Sequence, residues 1–212
     1  MRKKFVILAA IAVIIVSVAV TVANMSDGQA DVLRYGGNGI TDDIIAQSTI
    51  SALEAEELSY DDDVIDLGMS IALLDVGHAV LFSPPTERWT LDKIRVVGNL
   101  TGFYYSGVFA LEIWDSDYNL LYKLTDSNFA YFEDTYKLSV IDIPDQDITG
   151  NFYVCIFERS AINVGCDIDN PAKRSYVVVR DPKIMYNATY SDENGTEKPF
   201  NWMIRVVGHK MS

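Results

Sequence analysis

After Met-Arg-Lys-Lys the chain runs through residues 5–23 without a charge, and Ser17 and Thr21 are the only polar positions in that run. As a helix the run is about 28 Å long, close to the hydrocarbon thickness of a bilayer. The pattern predicts a transmembrane anchor over residues 1–23, with Arg2, Lys3 and Lys4 held on the cytoplasmic side and everything after Asn24 sent outside. A cleavable signal peptide competes with the anchor, because Thr21-Val22-Ala23 offers a small-residue cleavage site. Both readings export the remainder.

Residues 24–39 are polar and glycine-containing with no sustained period, the texture of a tether. Ile44, Ile45, Ser48, Ala52, Ala55 and Glu56 then recur at helical spacing behind Thr41, a candidate N-cap. These positions predict a short amphipathic helix over residues 42–58, which completes a linker unit, 24–59.

From residue 60 the period changes to two. Short β-branched and aromatic runs, divided by Gly, Pro, Asn and Asp, predict strands at 78–82, 91–98, 108–114, 120–124, 136–141, 152–157, 162–166, 176–180 and 202–207. In the 108–114 run Phe109, Leu111 and Ile113 share one face, and Ala110, Glu112 and Trp114 the other. In the 136–141 run Leu138 and Val140 fall with Tyr136, and Ser139 and Ile141 fall opposite. Strands without intervening helices argue for an antiparallel β-sandwich over 60–208, followed by a short tail, 209–212. The chain is mainly β, long enough in this region to bury a sizeable core.

Ile-Arg-Val-Val-Gly occurs twice, at residues 94–98 and 204–208. Neither the approach to each copy nor its sequel aligns, so this is not a duplicated unit. Each copy is a β-branched strand closed by glycine, with Ile and Val on one face and Arg and Val on the other. The pair predicts two similar central strands of one sheet.

The chain holds 17 basic and 30 acidic residues, net −13. That balance repels phosphate backbones and anionic headgroups, which excludes nucleic acid and peripheral lipid as partners. Two cysteines, Cys155 and Cys166, stand at mirror positions about a turn centred between Ser160 and Ala161. A hairpin there would place them opposite one another, within reach of a disulfide, and an exported chain meets oxidising surroundings. Two small buried apolar residues is the other reading of the same pair. Four Asn-x-Ser/Thr triplets, at Asn24, Asn99, Asn187 and Asn194, are glycosylation acceptors only where the host has the machinery.

Several stretches carry a resemblance: "HAVLFSPP" followed by "WTLDKIRVVG", "FALEIWDSDYNLLY", "DIPDQDITGNFYVCIF" and the closing "FNWMIRVVG". Together, over residues 59–208, they resemble a jelly-roll-like β-sandwich domain of exported archaeal and bacterial proteins. The resemblance implies the fold; the family carries no established catalytic set.

Candidate chemistry is sparse. The chain has two histidines, His78 and His209, and no G-x-S-x-G, HExxH, P-loop or dinucleotide glycine pattern. Glu112 and Glu158 lie on or beside strands, where alternation turns a polar side chain to solvent by default; a glycosidase-like pair is the alternative. Three acidic clusters have calcium-like composition: Asp61, Asp62 and Asp63; Asp115, Asp117 and Asn119; and Asp167, Asp169 and Asn170. Turn or solvated surface explains each without a metal, and the first is the best calcium candidate because it ties the linker to the sandwich. Phe103, Tyr104 and Tyr105, between Gly102 and Gly107, join Phe129 and Tyr131 as aromatics that either cap the core or form a stacking surface for sugar rings.

The sequence therefore points to a membrane-anchored extracytoplasmic β-sandwich for binding or surface structure, with a glycan or a cell-surface protein as partner and no catalytic constellation. The alternative is a surface hydrolase using a carboxylate pair on polysaccharide or peptide.

Overall fold

The computed structural model describes residues 55–102, 107–159 and 161–211. The expected span, the tether and most of the expected amphipathic helix lie outside these residues. Among the described residues no helix is long and apolar enough to cross a membrane.

Every run predicted as a strand contains one, and the 202–207 run is divided at Met203 between two. In chain order the strands are β1 (Glu56–Leu58), β2 (Leu67–Met69), β3 (Val76–Phe82), β4 (Arg88–Leu100), β5 (Val108–Asp115), β6 (Leu120–Ser127), β7 (Lys137–Thr149) and β8 (Phe152–Phe157). They continue as β9 (Ile162–Asp167), β10 (Ser175–Val179), β11 (Ile184–Asn187), β12 (Thr189–Ser191), β13 (Glu197–Pro199), β14 (Asn201–Trp202) and β15 (Ile204–Lys210). One sheet runs β11-β10-β3-β8-β5-β6, antiparallel throughout. β12 and β13 form a separate two-stranded sheet, and the second large sheet is built on β4. Its one edge carries β7 along ten register positions, and its other edge carries β15 and then β9. β1 lies beyond β15, β2 beyond β9, and β14 continues the β9 ladder just before β15.

The end of the expected helix is a correction. Residues 56–58 form β1, because Leu58 reaches the core while Glu57 meets arginines on the sheet's outer face; only an extended chain sends neighbouring side chains to opposite sides. β7 runs well past the predicted 136–141 and contains Pro144, which an edge strand tolerates because its outward N–H has no ladder partner to lose.

The two sheets pack face to face. Val80, Phe82, Leu111, Ile113, Val154 and Ile156 from one meet Ile94, Val96, Ile141, Val164, Ile204 and Val206 from the other in one buried cluster. Each such side chain gains about 1.5–3 kcal/mol on leaving water. Phe109, Leu111 and Ile113 face this core as the alternation predicts, and Leu138 and Val140 point away from it.

The two Ile-Arg-Val-Val-Gly copies lie side by side. Ile204 pairs with Val96, Arg205 with Arg95 and Val206 with Ile94, so the pentapeptides run antiparallel about the arginine pair. Both terminal glycines sit where another backbone comes close. A Cβ on Gly98 would lie 2.8 Å from the Asn163 carbonyl oxygen, and one on Gly208 would lie 2.1 Å from that of Thr90. The repeated motif is one solution to two ladder positions under the same constraint.

The expected disulfide is absent. Cys155 and Cys166 are both free and buried. β8 and β9 do not form a hairpin: they belong to different sheets. Cys155 lies between Ala79 and Glu112 on the outer face of its sheet, in a cluster separate from the main core, while Cys166 faces the inter-sheet core. Burial holds both thiols well above their usual pKa.

Candidate functional site

Of the aromatics singled out by the sequence, Phe129 and Tyr131 lie at one rim of the sandwich. The turn Asn128–Ala130 follows β6, and its Asn128 N–H donates to the Gly107 carbonyl at 3.0 Å. The Leu100 N–H donates to the Glu133 carbonyl at 2.7 Å, and the Thr101 N–H to the Ala161 carbonyl at 3.1 Å. These bonds fix both flanks of the 103–106 segment beside residues 128–134. Phe103, Tyr104 and Tyr105 themselves lie outside the described residues.

Phe129 is 57 % exposed. Beside it opens a hollow of about 610 Å³ lined by Leu100, Phe129, Phe132, Glu133, Asp134 and Thr135. Its floor is apolar, because Phe132 is buried against Phe109 with ring centroids 5.9 Å apart. Its wall is polar: Glu133 pairs with Lys137, and the Asp134 carbonyl accepts from Asn99 Nδ2 at 3.0 Å. Tyr131 sits lower. Its ring meets Phe109 edge-on at 5.6 Å and its hydroxyl donates to Asp126 Oδ2 at 2.9 Å. Burial, then the Asp126 bond, raises the Tyr131 pKa. Phe129 is thus a surface ring and Tyr131 a half-buried support beneath the same rim.

Arg205 stands where the best calcium candidate was expected to hold a metal. Arg205 Nε lies 3.1 Å from Asp61 Oδ2, Arg205 Nη2 bonds Asp61 Oδ1, and Nη1 pairs with Asp63. Burial alone would lower the Arg205 pKa, but the Asp61 and Asp63 hydrogen bonds and charges outweigh it and the net shift is upward. Asp62 only closes a turn, accepting from the Val64 N–H at 2.9 Å. Asp115 accepts the N–H groups of Asp117 and Asn119 at 2.9 and 2.8 Å, and the Asn119 side-chain bond leads the causes that lower its pKa. Asp167 receives Asp169 N–H at 3.1 Å and Asn201 Nδ2 at 3.1 Å. Among the described residues no group of three or more His, Cys, Asp or Glu is arranged to hold a metal ion.

Both carboxylates expected on a solvated face are buried, which corrects the alternation argument. Glu112 lies on the outer face of the six-stranded sheet under an aromatic layer of Trp114, Tyr118, Tyr153, Phe157 and Tyr176. Trp114 Nε1 donates to its Oε2 at 3.0 Å, and Lys123 Nζ and Arg180 Nε stand 3.1 and 3.3 Å from Oε1. Arg180 and Lys183 roof the layer, with the Arg180 guanidinium carbon 3.9 Å from the Phe157 ring centre and Lys183 Nζ 4.7 Å from that of Trp114. Glu158 lies on the other side of that sheet, fully buried. It accepts from Ile71 N–H at 2.6 Å and Ile162 N–H at 3.2 Å, and its Oε1 lies 3.2 Å from His78 Nε2. The His78 ring meets Trp202 edge-on at 4.3 Å. The two carboxylates face opposite sides of one sheet and do not flank a common groove.

The cation-roofed aromatic layer is assembled from residues far apart in sequence. Its one legible signal was the alternation Ala110, Glu112, Trp114, which sets a tryptophan beside a carboxylate on the face taken for solvent.

No family model matches the chain, and no curated protein matches it. Among solved structures it is similar to one described as the crystal structure of the cysteine protease and lectin-like domains of Cwp84, a surface layer associated protein of Clostridium difficile, with 12 % identity and a TM-score of 0.36. The likeness covers 64 % of this chain, which spans about a third (32 %) of the length of that structure.

Proposed function

We propose that the β-sandwich is a binding module of jelly-roll type, carried outside the cell on the 5–23 span, and that it takes glycan at the rim around Phe129. The carrying observation is an exposed aromatic ring beside a hollow with an apolar floor and polar walls, the arrangement a sugar needs: a flat apolar face to stack on and acceptors for its hydroxyls. Three further aromatics, Phe103, Tyr104 and Tyr105, occur in the segment whose flanks border the same hollow. Net charge of −13 supports a neutral or cationic ligand over an anionic one.

The test is a panel of neutral, amino and acidic oligosaccharides presented to the full-length protein in detergent, followed by titration calorimetry on any that bind. Phe129→Ala is expected to weaken binding about tenfold, the loss of one stacking contact, with the melting temperature unchanged. Binding that survives Phe129→Ala undiminished, or no binding to any glycan, rejects this reading.

A further inference from the structure

We infer that residues 56–61 form an arm that two copies of this chain exchange, each placing its β1 on the partner's β15; this goes beyond the glycan reading and does not depend on it. Apart from its own turns, the contacts of the arm among the described residues are with later parts of the chain. Glu56, Glu57 and Leu58 pair with Gly208, Val207 and Val206. Glu57 bridges the facing arginines, Oε2 to Arg95 and Oε1 to Arg205, and Asp61 holds Arg205 with both carboxylate oxygens. Tyr60 stacks on Phe82 at 5.4 Å, and its carbonyl accepts from Asn201 Nδ2 at 2.6 Å. Every one of these contacts survives unchanged when the arm comes from a second copy.

Between arm and body lies a short hinge that is strained in the closed form. Asp63 is held at φ +72°, left-handed backbone that a residue with a Cβ adopts at a cost, and Val64 is 55 % exposed. Two side-chain turns close the hinge, Asp61 onto the Asp63 N–H and Asp62 onto the Val64 N–H. At Asp66 the body begins, its N–H bonded to the Cys166 carbonyl and its Oδ2 accepting from Ile168 N–H. Extending the hinge relieves the Asp63 conformation and leaves the dock to be filled in trans, the usual route to exchange. The dock does not stay empty: without the arm, Arg95 and Arg205 stand opposite one another with no counter-charge from β1. A second copy carries the one segment already known to match it.

The test uses the full chain with Leu58→Cys and Val206→Cys, cross-strand partners that a disulfide can join. Oxidation followed by denaturing, non-reducing electrophoresis gives a covalent dimer when arms are exchanged and a cross-linked monomer when they are not. The denaturing gel removes any association through the N-terminal segment. Dimer bands that grow with protein concentration are expected; cross-linked monomer alone overturns the inference. A second experiment decides if that double variant does not fold or cross-link. Arg205→Glu and Asp61→Arg each place like charges together, in one chain or in a homodimer, but a mixed dimer restores opposite charges at both docks. Mixing the two after partial unfolding is expected to return a 1:1 species melting near the wild type. A mixture that melts as the two separate variants overturns it.

Discussion

Arg95 and Arg205 stand directly opposite in the β4–β15 ladder, and Glu57 from the neighbouring strand contacts both. Facing like charges destabilise a sheet, so the pair exists only because the acids of residues 57–63 neutralise it. The Arg205 side chain is 8 % exposed and Asp61 fully buried, whereas Asp63 is 80 % exposed. The Asp61 contact therefore carries most of the energy, and the Asp63 contact little.

Arg205→Ala strands the buried Asp61 carboxylate without its cation and is expected to cost about 3 kcal/mol. Arg95→Ala removes a more exposed partner and relieves the like-charge pair, so its cost is expected below about 1 kcal/mol. Urea denaturation of the two variants checks the ranking; equal losses would show that the bridge through Glu57, and not Asp61, dominates.

The cysteines give a second prediction. With Cys155 on an outer face and Cys166 in the inter-sheet core, native protein is expected to yield no thiol to Ellman's reagent and two after denaturation. A reductant is expected to leave the melting temperature unchanged. A thermal midpoint that falls on reduction would show a bond between them.

Alkaline stability follows from the tyrosines. Burial pushes Tyr136 and Tyr153 up to about 12 from the usual 10, so the folded chain keeps protons that the unfolded chain releases. The stability linked to these groups is fully present below pH 10 and is lost as pH rises from there toward 12. Tyr136→Phe with Tyr153→Phe is expected to move the alkaline unfolding midpoint upward, read by tyrosinate absorbance alongside circular dichroism. A midpoint unmoved by both substitutions would place the alkaline limit elsewhere.

Period-two alternation was enough to find every long strand and to sort Phe109, Leu111 and Ile113 into the core, because a half-buried strand writes its faces into the sequence. β1, β2, β11, β12 and β13 escaped it: three or four residues hold too little period, and Glu56–Leu58 also sits in a run of helix formers. Sheet membership was not legible either. β8 is buried at all six positions, so nothing local showed that its cysteine points away from the one on β9. The burial of Glu112 is not legible locally, since part of its shield comes from Arg180, remote in sequence. At the rim, Phe129 and Tyr131 are legible as aromatics close in sequence, but only packing separates the exposed Phe129 from Tyr131 beneath it.

The crossing from β8 to β9 rests on Glu158, and its energetics can be separated by substitution. The carboxylate satisfies two backbone donors, Ile71 and Ile162, and faces His78 Nε2 in a fully buried setting. Glu158→Ala leaves those groups unpaired and opens a cavity, so a loss of about 3 kcal/mol or more is expected. Glu158→Gln keeps one acceptor oxygen and exchanges the other for a donor that faces an N–H, so an intermediate loss is expected. His78→Phe keeps an aromatic ring against Trp202, removes a Nδ1 that has no partner, and leaves Glu158 its two backbone donors. Its cost is expected to be the smallest, about 1 kcal/mol. Guanidinium denaturation of the three variants checks the order. A His78→Phe loss matching Glu158→Ala would make the imidazole, and not the backbone crossing, the group for which this carboxylate is buried.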